Sequence, residues 1–141
     1  MEGRLTATVR WTEKLHLEGR AAFEHDVPLD FDPPLGDGKG IKPMELVLIS
    51  LAGCSGQTAV SLLQKMRQEV REFSVEAVGT KVEDHPKVFS AIHLTFKVRG
   101  VGLDPALVEK AIRLSEEKYC PVWAMLKTGA KVSSEVKLES A

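Results

Sequence analysis

The chain has 141 residues, 43% of them hydrophobic and 28% charged, with a formal net charge of -1. A chain of this length buries roughly two-thirds of its unfolded surface, so one core and a single domain over residues 1–141 are expected. The balanced charge supplies no strong field, which leaves nucleic acid and membrane surfaces without support as partners.

The opening stretch MEGRLTATVRW lacks a basic segment followed by an apolar run, so it is not read as a secretory signal, and the mature chain is expected to start here. Leu5, Ala7, Val9 and Trp11 alternate with Arg4, Thr6, Thr8, Arg10 and Thr12, which predicts a half-buried strand over residues 4–12. After a polar turn at Glu13-Lys14, the residues Leu15, Leu17, Ala21 and Phe23 predict a second, less regular strand. Val27, Leu29 and Phe31 predict a third, the simplest connection being an antiparallel meander. Asp32 to Gly40, DPPLGDGKG, reads as a flexible loop, because paired prolines cannot donate to a ladder and glycines permit positive backbone angles.

The loop delivers the chain to Pro43–Gln68, PMELVLISLAGCSGQTAVSLLQKMRQ, the stretch on which the fold is expected to be organised. Pro43 suits the first helical position and Glu45 the positive end of the helix dipole. Leu46 to Ala52 is apolar on nearly all sides, which predicts cover all round. Its length invites a membrane-spanning reading, but the interspersed Ser, Gly, Gln and Thr and the flanking Glu45 and Lys65 favour the buried helix of a soluble protein. Gly53 and Gly56 each cost about 1 kcal/mol relative to Ala inside a helix. Either close backbone packing or room for a ligand or partner helix beside Cys54 offsets that cost.

Phe73, Val75 and Ala77, then Ile92, Leu94, Phe96 and Val98, alternate as two strands of a hairpin, with EDHPK as the turn. Asp104-Pro105 caps a second helix over residues 105–118, which carries Leu107, Val108, Ala111, Ile112 and Leu114 at helical spacing. Cys120-Pro121 interrupts it and opens a short helix, Val122 to Lys127; Val132, Val136 and Leu138 predict a last strand.

Most of the usual chemical signatures are absent from this order. His16, His25, His85 and His93 fall on separate predicted elements without metal-ligand spacing, and no cofactor or metal is expected. Gly36, Gly38 and Gly40 match no phosphate-binding pattern, and no serine sits in a nucleophile elbow. The thiols remain. Two cysteines without a signal peptide suggest a reducing, cytoplasmic compartment, where a disulfide is transient and chemical. Cys54, on an apolar helix, fits a small buried hydrophobe as well as a reactive thiol. Cys120 would cap the short helix, where amide dipoles stabilise a thiolate.

PMELVLISLAGC and LSEEKYCPV, with HPKVF between them, resemble the OsmC/Ohr family of osmotically inducible and organic hydroperoxide resistance proteins. The resemblance runs over the whole chain in element order. Pro-Met-Glu-Leu ahead of the first cysteine is similar to the OsmC-like subgroup. The resemblance implies an α+β fold with antiparallel sheets wrapped around a long central buried helix, in an intertwined homodimer. It also implies a cofactor-free thiol peroxidase acting on organic hydroperoxides and recycled by an external dithiol such as a lipoyl protein.

Carried over residue by residue, Cys54 is the peroxidatic cysteine and Cys120 the resolving one, passing through a sulfenic acid to a disulfide. An arginine and a glutamate complete the family site, and Arg20 and Glu45 are the candidates here, with Arg10 the alternative arginine. Peroxidase members open this helix with Pro-Glu, whereas this chain has Pro43-Met44 and then Glu45, about 100° further round the helix. An apolar pocket lined by the central helix and Tyr119, Trp123 or Met125 would select alkyl hydroperoxides. Two alternatives stay open: an OsmC-like dimer that binds an apolar small molecule with little or no peroxidase activity, and a dimer in which both cysteines only pack.

Overall fold

The computed structural model describes residues 3–141. The chain divides into two compact units, residues 1–47 and 48–141.

In the first unit β1 (Thr8–Glu13), β2 (His16–Arg20) and β3 (Asp26–Leu29) form the expected antiparallel meander, with β2 central. The alternation at Val9 and Trp11 does mark a strand, but β1 begins at Thr8 and is exposed along its whole length, Trp11 by 65%. A period of two reports a pleat; whether one face is covered depends on a neighbour that the period does not name. Ala21 and Phe23 do not prolong β2, because a 3-10 turn at Ala22–Glu24 with Phe23 at φ 64° ends the pleat.

The loop after β3 is tied down, contrary to its expected flexibility. The buried Asp30 carboxylate accepts the backbone N–H groups of Phe31 (2.7 Å), Lys39 (3.1 Å) and Asp37 (3.3 Å). Those bonds, the Phe31 amide first, hold the Asp30 carboxyl below its ordinary value. At Gly36 any Cβ would stand 2.3 Å from Asp30 Oδ1, so glycine is required by close approach. Here backbone amides of the glycine-rich loop cradle an anion, but the anion is the chain's own side chain.

Helix α1 (Pro43–Lys65) opens in the first unit and continues through the second. The Lys42 carbonyl accepts the Leu46 N–H, and Glu45 Oε1 accepts the Lys42 N–H at 2.9 Å, one half of a capping box. Pro43 stands at the first helical position as expected.

In the second unit β5 (Phe89–Val101) is the middle strand, paired antiparallel to β4 (Glu69–Lys81) and parallel to β6 (Lys131–Ser140). The hairpin is as predicted. The parallel pairing of β6 makes this sheet mixed, and a parallel neighbour needs a crossover. That crossover is α2 (Pro105–Leu114), a π-helical turn (Ser115–Tyr119) and α3 (Pro121–Leu126). One core joins Leu51, Ala59 and Leu63 of α1 to Ile92, Leu94, Phe96 and Val98 of β5, Val108, Ala111 and Ile112 of α2, and Cys120 and Trp123. α1 is long and apolar enough to span a bilayer by length and composition, yet this stripe is built into the core. The cover is one-sided, since Ile49 is 52% exposed.

Candidate active site

α1 turns Ser55 into the core and leaves Cys54 beside it half-buried. The second thiol arrives by a break in the crossover. After Leu114 the chain widens into the π-helical turn, and the Cys120 N–H donates to the Ser115 carbonyl at 2.7 Å. Pro121 then forces a new helix start, because it has no N–H to continue the old one. Cys120 is the N-cap of α3, as its place before Pro121 predicts, and its Sγ accepts the Trp123 N–H at 3.3 Å.

This brings the two thiols together. Both are free, and Cys120 is near enough to act on Cys54, whose neighbour on α1, Ser55, reaches the Cys120 sulfur. Burial pushes the Cys54 thiol up, the neighbouring Cys120 adds to that, and the Val122 N–H draws it down. No cation is among the influences on Cys54 within the described residues. Cys120 is 2% exposed, and its sulfur also accepts the Ser55 hydroxyl at 3.3 Å.

Glu45 and Arg20 belong to the first unit and are engaged there. Glu45 caps α1 through the Lys42 amide. Arg20 forms a bidentate pair with Asp26, Nε to Oδ1 at 2.6 Å and Nη2 to Oδ2 at 3.1 Å, both side chains about half exposed. Arg10 lies on β1 opposite Glu18. His16 hydrogen bonds with Thr12 and His93 with Ser133, and no metal-holding group of three or more His, Cys, Asp or Glu occurs among the described residues.

The three aromatic and sulfur residues expected around a pocket separate. Trp123 is core, Met125 is exposed, and Tyr119 borders a groove of about 410 Å³ with Gln57, Thr58, Ser61, Leu62 and Lys65. The more apolar space is a groove of about 630 Å³ along α1 and β4, where Ile49, Gly53, Val60, Phe73 and Val75 stand. The two helical glycines have different causes. A Cβ at Gly56 would touch Phe73 and Val75 at 3.4 Å, whereas a Cβ at Gly53 would meet nothing within 4 Å.

The family described as OsmC-like protein matches residues 36–135. The chain belongs to the OsmC-like family. Protein YhfA of Escherichia coli strain K12 is 37% identical over 137 residues, 97% of this chain and all of that one. An OsmC-like protein of Mycoplasma pneumoniae shares the fold with a TM-score of 0.84 at 17% identity, over 98% of this chain and 99% of that one. So does the organic hydroperoxide resistance protein OhrB of Bacillus subtilis, with a TM-score of 0.62 at 18% identity over 95% and 98%.

In this OsmC-like chain, Ser55 is the site residue that sequence reasoning passed over. Its signal was a hydroxyl next to Cys54, one of several on the apolar stretch, with no way to tell which side of the helix would be buried. The amides of Val122 and Trp123 had no signal at all, since every residue but proline carries one.

Proposed function

We propose that this OsmC-like chain is a thiol peroxidase that reduces organic hydroperoxides with Cys54 and Cys120. The observation that carries the reading is the proximity of two free thiols, one half-buried on α1 next to Ser55 and one buried at the start of α3, with the Ser55 hydroxyl on its sulfur. Cys54 is the first nucleophile because it is the one that a substrate can reach. Its thiolate attacks the terminal peroxide oxygen, the O–O bond breaks, and the alkoxide leaves as the alcohol after taking a proton. The resulting Cys54 sulfenic acid is attacked by Cys120, which forms the disulfide and releases water. An external dithiol of the lipoyl class returns both thiols. The family's names for organic hydroperoxide resistance proteins support this substrate class.

Arg20 and Glu45, the cation and carboxylate candidates, are committed to Asp26 and the Lys42 amide, so no step is assigned to them. The working form is taken as a cytoplasmic homodimer of one OsmC-like domain per chain, with the open apolar groove on α1 as the surface to be covered. A second reading, a dimer that binds an apolar small molecule with little peroxidase activity, is favoured by the raised Cys54 thiol.

The experiment is a single turnover. Reduced protein mixed with cumene hydroperoxide consumes one equivalent and ends with a Cys54–Cys120 disulfide, seen by peptide mass spectrometry after thiol blocking. Unchanged peroxide with two free thiols sinks the peroxidase. An apolar molecule retained in native mass spectra of both the wild type and Cys54→Ser would then establish the second reading.

A further inference from the structure

We propose that Ser55 sets the direction of disulfide reduction: it makes Cys120 the leaving thiol, so that the external dithiol attacks Cys54 and forms its mixed disulfide there. The inference rests on the Cys54–Cys120 disulfide of the proposed function and adds which sulfur the reductant meets.

Two observations carry it. The first is access: Cys54 is half-buried, whereas Cys120 is 2% exposed. The second is the reception of charge. When a thiolate attacks one sulfur of a disulfide, the bonding pair goes to the other sulfur, and exchange is faster when that leaving sulfur is better stabilised. The Cys120 sulfur has two donors in place, the Ser55 hydroxyl and the Trp123 N–H, each at 3.3 Å. Ser55 is fully buried, so its hydroxyl has no water to bond instead. It follows Cys54 directly on α1, so it stays beside the pair when the two sulfurs join.

The step balances. One thiolate of the dithiol bonds to Cys54 Sγ, and the Cys54–Cys120 bond breaks. Cys120 Sγ takes the electron pair and then a proton. The second thiol of the same reductant attacks the mixed disulfide at the reductant's own sulfur and expels Cys54 as thiolate, which takes a proton. The reductant is left as its cyclic disulfide, two electrons having passed to the protein. Ser55 acts through Cys120 and is a positioning residue.

The test separates this inference from the peroxidase reading by closing the disulfide with diamide, which needs no peroxide. The oxidised protein is then met with limiting glutathione, a monothiol that cannot complete the second exchange, and the freed thiol is capped at once with N-ethylmaleimide. Peptide mapping is expected to place glutathione on Cys54 and maleimide on Cys120, with at least tenfold preference on the scale of one charge-assisted hydrogen bond. Glutathione mainly on Cys120, an even distribution, or a chain that diamide cannot close overturns the inference. Failure with hydroperoxide alone overturns only the peroxidase. In Ser55→Ala, reduction by dithiothreitol is expected to slow about tenfold, the adduct ratio to move towards even, and the pH profile of the reduction step to shift. Ser55→Thr, which keeps the donor, should restore the ratio. An unchanged rate and ratio in Ser55→Ala would overturn the role of the hydroxyl, and the wild-type mapping stands without either variant.

Discussion

At Cys54, burial and the second thiol outweigh the Val122 amide, so the proton is held above the ordinary thiol value of 9.0. Alkylation by iodoacetamide in the folded protein should therefore be slow at neutral pH and still rising past that value. The sign for stability follows from proton binding: between the two values the native state holds a proton that the unfolded chain has lost. Stability should fall as the pH rises above 9.0 towards the folded value, and Cys54→Ala should flatten that slope in denaturant titrations. Asp30 works in the other direction. Its lowered carboxyl contributes stability above its ordinary value of 3.8, which is lost as the pH falls through the folded value, and Asp30→Asn should remove that acid dependence. Cys54 and Cys120 were legible as candidates because thiols are few and one precedes proline. Asp30 was not, because its role depends on amides up to nine residues away folding back on it.

Among the elements, the punctuation was the most readable part. Asp104 accepts the Ala106 N–H at 3.0 Å as the cap of α2, and Asp104→Ala should cost about 1 kcal/mol in thermal or denaturant unfolding. Cys120-Pro121 and Lys42-Pro43 ended or opened helices where they stood, since proline's missing N–H acts locally. The π-helical turn was not readable, because five residues of SEEKY satisfy an α-helical pattern equally well and only the placement of Cys120 distinguishes them. The glycines of α1 show the same limit. Gly53→Ala meets open space and should stabilise the isolated chain by up to about 1 kcal/mol through helix propensity. Gly56→Val is expected to destabilise it by about 1–3 kcal/mol by forcing Phe73 and Val75 aside. Parallel unfolding curves of the two variants would check the contrast.

At the scale of the whole molecule, the exposed α1 face and the proposed homodimer make one prediction. Sedimentation should give a dimer, and Ile49→Glu, on the apolar groove, should shift it towards monomer; a wild-type monomer at micromolar concentration would remove the dimer from the proposed function. Strand and helix periods, proline positions and the scarcity of thiols were enough to read the α+β order, the hairpin, the two cysteine segments and the family. These are local properties, or matches of local segments. The tertiary structure alone decided that β6 pairs parallel to β5 and so sends a crossover past α1, that Ser55 faces Cys120, and that Glu45 and Arg20 have partners of their own. The first two depend on contacts between residues far apart in the chain and the last on turns that fold Lys42 and Asp26 back onto their neighbours, and a side chain's period along its own element says neither.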